Sequence, residues 1–120
     1  MTYRVRETER AEGERDRAFF QILASVGPDF ANAWYTGLLS AIADLANFPG
    51  PYANVRDEIA SEHYGYAVRR LLYTGPLRRK SRVGYRVLYT VLGLDAEDGT
   101  STILILRVLH GARFLDTPDT

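Results

Sequence analysis

Histidines and arginines are the side chains of this chain that we consider for proton transfer and for phosphate binding, and cysteine is absent from its 120 residues. The lack of cysteine excludes disulfides, thiolate catalysis, zinc ribbons and iron–sulfur clusters. The two histidines, His63 and His110, are too few for an ordinary histidine-rich metal site. We therefore expect neither a metal ion nor a cofactor.

His110 is the only histidine on an element that the sequence predicts. The unperturbed pKa of histidine, about 6.5, suits a general acid or a general base. The alternative is a histidine at the end of a strand that hydrogen-bonds the backbone. Arginine is a poor acid or base, but it matches phosphate oxygens with two parallel hydrogen bonds.

The basic side chains are concentrated in one stretch of the chain. The net charge is zero, yet the residues from His63 to Leu94 contain no acid. A basic surface of this kind attracts polyanions or an acidic protein. The alternative is a solvated hairpin whose arginines pair with acids elsewhere in the fold. The basic residues of this stretch are Arg69, Arg70, Arg78, Arg79, Lys80, Arg82 and Arg86.

Length and composition are those of an ordinary globular protein, with 46% hydrophobic and 25% charged residues. No apolar run approaches the roughly 18 residues of a membrane span. The stretch from Met1 to Arg17 is highly charged where a signal peptide would be apolar. We therefore expect a cytoplasmic protein with no membrane segment. We expect a single domain over residues 1–120, with about 114–120 as a flexible tail.

Hydrophobic periodicity predicts a strand, two helices and three further strands. This α+β order indicates an antiparallel helical hairpin that covers one face of a small, mainly antiparallel sheet. The segment from Pro51 to Tyr66 has no readable period, and a turn is expected over 95–99. The predicted strands are Thr2–Glu7, Tyr66–Tyr73, Gly84–Leu94 and Thr100–His110, and the predicted helices run from Glu9 to Val26 and from Pro28 to Asn47.

The last two predicted strands position the candidate groups. If their hairpin centres on Glu97, Arg86 lies opposite Val108 and diagonal to His110 on the same face, with Cβ atoms within about 8 Å. A register that differs by one residue would place them on opposite faces. Of the adjacent Arg69 and Arg70, one must share the face of Arg86, and we favour Arg69.

Several short strings follow one another along residues 3 to 113. They are Tyr3-Arg4-Val5 with Thr8 and Ala11, the helical hairpin with Trp34, Leu45 leading to Phe48-Pro49, Val68-Arg69-Arg70-Leu71, Tyr85-Arg86-Val87-Leu88-Tyr89, and Ile105-Leu106-Arg107-Val108-Leu109-His110 with Arg113. In order and spacing they resemble the RelE/ParE superfamily of toxins from bacterial type II toxin–antitoxin systems. Two segments, Pro51 to Tyr66 and Thr74 to Gly84, look longer than usual for these toxins.

The resemblance implies a growth-inhibiting toxin that a cognate antitoxin neutralises in a hetero-oligomer, and it leaves two activities open. Relatives of the RelE kind cleave mRNA in the ribosome, whereas those of the ParE kind poison DNA gyrase without a known catalytic site. Arg86, within Tyr-Arg-Val-Leu-Tyr, resembles the first branch. The Arg-Val-Leu-His string that ends at His110 resembles the second.

The leading hypothesis is a metal-independent, ribosome-dependent mRNA endonuclease. In it, a histidine transfers protons and arginines stabilise the charge on phosphorus. The runner-up is an inhibitor of DNA gyrase, and the third reading is a relative that has lost toxicity. The candidate catalytic residues are Arg86, His110, Arg69 and Arg113. The candidate residues for binding nucleic acid or antitoxin are Arg70, Arg78, Arg79, Lys80, Arg82 and Tyr85.

Overall fold

A computed structural model of the chain describes residues 3–47, 56–75, 84–94 and 101–110. The α+β order expected from the sequence is confirmed. One helix was not predicted, and it lies in the segment without a readable period. The elements are β1 (Arg4–Glu7), α1 (Glu9–Ser25), α2 (Pro28–Asp44) with a 3₁₀ turn (Leu45–Asn47), α3 (Glu58–Tyr64), β2 (Arg69–Tyr73), β3 (Tyr85–Leu94) and β4 (Ser101–His110). The expected turn and tail lie outside the described residues.

Each helix starts at a local signal in the sequence. The Thr8 hydroxyl accepts a hydrogen bond from Ala11 N at 3.1 Å and so caps α1. Gly27 takes a φ of 116°, which favours glycine, and Pro28 then opens α2 as its first residue. The Asp57 carboxylate caps α3 by accepting from Ala60 N at 2.9 Å. These caps satisfy amide groups that would otherwise lack partners.

The four strands form one sheet in the order β1-β4-β3-β2. β1 runs parallel to β4, whereas the other two pairs are antiparallel. Alternate residues of each strand face opposite sides of the sheet. One side, here called the hairpin face, packs against α1 and α2 around Trp34, Leu38 and Tyr89. The other, the α3 face, holds a smaller cluster that includes Leu88 and Leu109.

A buried ion pair fastens α1 to the edge of β4. Glu14 and Arg107 have side chains only 2% and 1% exposed, and Arg107 Nη2 lies 2.7 Å from Glu14 Oε2. Arg107 Nε donates to both Glu14 oxygens at 2.9 and 3.0 Å. The backbone N–H of Val108 also donates to this carboxylate, at 2.9 Å. Glu14 therefore satisfies an edge amide of β4 beyond the residues that pair with β1.

The pKa of Arg107 is raised above its ordinary value. Burial alone lowers this pKa, but the hydrogen bond and the charge of Glu14 offset the burial, and a hydrogen bond with Tyr64 of α3 adds to the rise. Arg107 is therefore a permanent cation, joined to helices on both sides of the sheet.

Within the described ranges, no helix combines the length and the apolar character that a bilayer crossing requires.

Replacing Glu14 with glutamine should lower the free energy of unfolding by about 3 kcal/mol or more, because the amide leaves the buried Arg107 charge uncompensated. Urea denaturation followed by circular dichroism measures this. Glu12→Gln removes an exposed acid from the same helix and should cost less than about 1 kcal/mol. Equal losses in the two variants would contradict the role of Glu14.

Candidate functional site

The register of β3 and β4 differs from the expected one at the end that carries Arg86. Tyr89 pairs with Ile105, as expected, but a bulge follows, and Arg86 pairs with Leu109 while Tyr85 pairs with His110. The expectation that Arg86 lies opposite Val108 is therefore wrong. The bulge places one extra residue of β4 against β3, and a shift of one residue exchanges the two faces of a strand.

Arg86 lies on the α3 face, where it meets the buried carboxylate of Asp57. Arg86 Nη1 is 3.8 Å from Asp57 Oδ2, and Arg70 Nη1 is 3.7 Å from the same oxygen. Asp57 is only 3% exposed. Arg70, and not Arg69, therefore shares the face of Arg86, because the antiparallel pairing sets Arg70 opposite Leu88. The preference for Arg69 was wrong.

Arg69 lies on the hairpin face, opposite Tyr89. Burial raises the pKa of Tyr89 to about 12, and the charge of Arg69 lowers it by a smaller amount. Arg69 also lines a hollow of about 340 Å³ beside Tyr66 and Thr90. Its partner Tyr89 is four residues along β3 from Tyr85, the partner of His110, which is about 13 Å at the usual rise of a strand. Arg69 and His110 therefore do not share a site.

His110 lies on the hairpin face at the end of β4. Its ring meets the ring of Tyr85 edge to face, with centroids 5.3 Å apart. Tyr85 in turn packs against Trp34 at 5.1 Å, and burial raises the pKa of the Tyr85 phenol. The phenol is therefore neutral over the ordinary range of pH. This stack holds the imidazole at the mouth of a small hollow between α1 and the two strands.

The hollow beside His110 is lined by a residue that the sequence analysis missed. Its volume is about 60 Å³, and Arg17 of α1 lines it together with His110 and Tyr85. The other residues of α1 that line it are Glu14, Ala18 and Gln21, which with Arg17 have the spacing of one helix face. That spacing was readable in the sequence, but nothing in it indicated that this face meets the end of β4.

The structure therefore separates the candidate catalytic residues. Arg86 and Arg70 converge on Asp57 on one face, whereas His110, Tyr85 and Arg69 lie on the other. The remaining candidates, Arg113, Arg78, Arg79, Lys80 and Arg82, lie outside the described residues. Among the residues that the structure describes, no three acidic or histidine side chains cluster so that they could hold a metal ion.

Comparison with known families decides the relationship. The family model described as the ParE toxin of the type II toxin–antitoxin system, parDE, matches residues 5–114. The chain belongs to the ParE toxin family. The resemblance found in the sequence is thereby confirmed, and a cognate antitoxin is the partner that this family context supports. No curated protein matches the sequence of this ParE toxin.

One solved structure shares the fold of this ParE toxin. The chromosomal ParDE toxin–antitoxin system from P. aeruginosa matches with a TM-score of 0.63 and 18% sequence identity. The match covers 90% of this chain and 95% of that chain. The two proteins therefore have the same α+β architecture over nearly their whole lengths.

The contact of Asp57 with Arg70 and Arg86 predicts a contribution to the local stability of α3. Asp57→Asn removes the charge that faces two guanidinium groups while the side chain still caps the helix, so we expect a loss of about 1–3 kcal/mol. Hydrogen exchange of the α3 amides should accelerate more than that of the α1 amides. Glu58→Gln, which changes an exposed acid paired with Arg56, should leave exchange nearly unchanged. Uniform acceleration in both helices would contradict a local role.

The raised pKa of Tyr89 predicts that the folded protein loses stability at alkaline pH. Its pKa is about 12 in the folded chain and about 10 in an unfolded one. The folded state therefore holds the proton more tightly, and stability that is complete below pH 10 falls by about 2 kcal/mol as the pH rises to 12. Tyr89→Phe should flatten this part of the curve of unfolding free energy against pH. An unchanged slope would show that other groups cause the loss.

Proposed function

We propose that this ParE toxin arrests growth by binding DNA gyrase, that it does so without cleaving RNA, and that a cognate antitoxin neutralises it in the cytoplasm. The observation that carries the proposal is the separation of Arg86 from His110 by the sheet. Membership of the ParE family supports the same target, because relatives of the ParE kind poison gyrase.

Metal-free RNA cleavage requires several groups at one phosphate. A base must reach the 2′-hydroxyl, an acid must reach the leaving oxygen, and a cation must face the charge that builds on phosphorus. Each of these contacts needs a distance of about 3 Å. A single phosphodiester cannot contact Arg86 on the α3 face and His110 on the hairpin face, because the backbone of the sheet lies between them.

The surroundings of Arg86 also favour a structural role. Its side chain is 22% exposed and faces the Asp57 carboxylate, which caps α3 at the same time. A guanidinium held in this way fixes a helix on the sheet. A phosphate would have to compete with a carboxylate that is already buried beside it.

The charge of the whole chain agrees with a protein target. Fifteen basic and fifteen acidic residues balance, so the net charge of the toxin does not favour nucleic acid over protein as a target. Proteins that enter the ribosome are usually strongly basic. A chain without net charge suits a complex formed through shape and apolar contact with another protein.

Two assays run in parallel on the free toxin test the proposal. Purified toxin should inhibit supercoiling of relaxed plasmid by gyrase and should leave ribosome-bound mRNA intact in a primer-extension assay. Addition of the antitoxin encoded beside the toxin should restore supercoiling. Arg86→Ala and His110→Ala separate the alternatives. If the toxin acts by binding gyrase, neither side chain has a catalytic role; if it cleaves mRNA, both substitutions should abolish cleavage.

Cleavage of mRNA that both alanine variants abolish, with supercoiling unaffected, would overturn the proposal in favour of the endonuclease. Loss of both activities in the unmodified toxin, together with normal growth when it is expressed without antitoxin, would indicate a relative that has lost toxicity.

A further inference from the structure

The larger hollow, of about 340 Å³, lies where β2 separates from β3. The pairing of these two strands ends at Arg69 and Tyr89. If the ladder continued in the same register, Ala67 would pair with Val91. Instead, the Ala67 carbonyl accepts a hydrogen bond from the Thr90 hydroxyl at 2.8 Å. The larger hollow therefore occupies the place of a missing strand pair.

The backbone N–H and C=O of Val91 point to the side of β3 on which the larger hollow lies. The Val68 carbonyl points away from β3, because it accepts from the Asp57 N–H at 2.9 Å. The backbone groups of successive residues in a strand point to opposite sides, so those of Arg69 and Tyr89 point toward each other. Those of Val91, two residues further along β3, point the same way as those of Tyr89. Within the described residues β2 offers them no partner, so one donor and one acceptor lie side by side at the wall of the hollow.

The aromatic ring of Tyr66 forms another wall of the larger hollow. The residue is 46% exposed, and its ring packs at a tilt against the ring of Tyr64, with centroids 5.6 Å apart. Tyr64 is held in turn by its hydrogen bond with the buried Arg107. A ring that is braced on one side and half exposed is suited to stack on a flat ligand.

We propose that the larger hollow binds one adenine base of a free nucleoside or nucleotide. One edge of adenine carries an amino donor beside a ring-nitrogen acceptor, and these match the C=O and the N–H of Val91. The ring of Tyr66 stacks on the base, as aromatic side chains do in many sites that bind bases. The volume of about 340 Å³ is at the lower end of the roughly 300–1,000 Å³ of small-ligand sites. Base binding here is independent of any action on gyrase.

The walls of the larger hollow favour a single base over a polymer. Of β3, Thr90 and Val91 line it, so one residue offers free backbone groups, whereas the addition of a peptide strand uses a row of them. Single-stranded nucleic acid binds by stacking successive bases on several aromatic side chains. Among the described residues, Tyr66 is the one aromatic side chain that lines this hollow.

NMR titration of the full chain with adenosine tests the proposal. The amide signal of Val91 and the ring signals of Tyr66 should shift together and saturate, with a Kd of about 0.1–1 mM. N6,N6-dimethyladenosine keeps the ring but lacks the amino hydrogens, and the loss of one hydrogen bond should weaken its binding about fivefold. The ring signals of His110, which pairs with the first residue of β3, serve as an internal reference.

Three variants test the aromatic wall. Tyr66→Ala should weaken adenosine binding about tenfold, the usual size for the loss of one stacked base. Tyr66→Phe keeps the ring and should bind nearly as well as the unmodified chain. Ile59→Ala changes an exposed side chain of α3 that does not line the hollow and should have no effect. Thermal melting checks that all three variants are folded.

Several results would overturn the proposal. They are no saturable shift of the Val91 and Tyr66 signals, equal binding of the dimethyl analogue, or unchanged affinity in Tyr66→Ala. A short oligoadenylate that binds more tightly than adenosine monophosphate would overturn the assignment to a free base and indicate a nucleic-acid strand. No titration involves gyrase, so a negative supercoiling assay would leave these outcomes unaffected.

Discussion

The carboxylate of Glu14 and the guanidinium of Arg107 are almost completely removed from water. Two charges in such a place are tolerated only together, because removing either one leaves the other buried without compensation. Since Glu14 also accepts from the N–H of Val108, this interaction fixes the position of α1 along β4 and holds the β4 backbone beside the bulge. It lies where the pairing of β4 with β1 ends, next to the bulge that sets which residues of β4 face each side of the sheet.

The bulge turns Val108 and His110 to the hairpin face and leaves Leu109 opposite Arg86. On the hairpin face, Trp34, Tyr85 and His110 form a row of edge-to-face rings, which extends the core to the surface. On the α3 face, a single carboxylate, that of Asp57, both caps a helix and meets two arginines. The two faces thus differ in kind: the hairpin face ends in a row of packed rings, whereas the α3 face carries two arginines around one buried carboxylate.

The parts of the fold that the sequence predicts are those governed by local rules. Apolar periodicity predicts the helical hairpin and the three later strands, because each signal lies within a few residues of its effect. α3 spans only seven residues, too few to show a period, and its stability comes from contacts with the sheet. The neighbours of Arg17 depend on where α1 crosses β4, which no local pattern encodes.

The predicted catalytic site does not form, for a related reason: the faces of Arg86 and His110 depend on a bulge that no local pattern predicts. Arg86 and His110 are placed correctly on their strands, and the pairing from Tyr89 to Leu92 is as expected. One additional residue between Ile105 and Arg107 reverses the face of everything beyond it. A strand has a period of two. A shared string such as Tyr-Arg-Val-Leu-Tyr therefore fixes the position of a residue along its strand. Whether that residue shares a face with a given residue of the partner strand depends on whether a bulge lies between them. Two relatives with the same string can therefore differ in chemistry when a buried pair such as Glu14 and Arg107 stabilises that bulge in one of them.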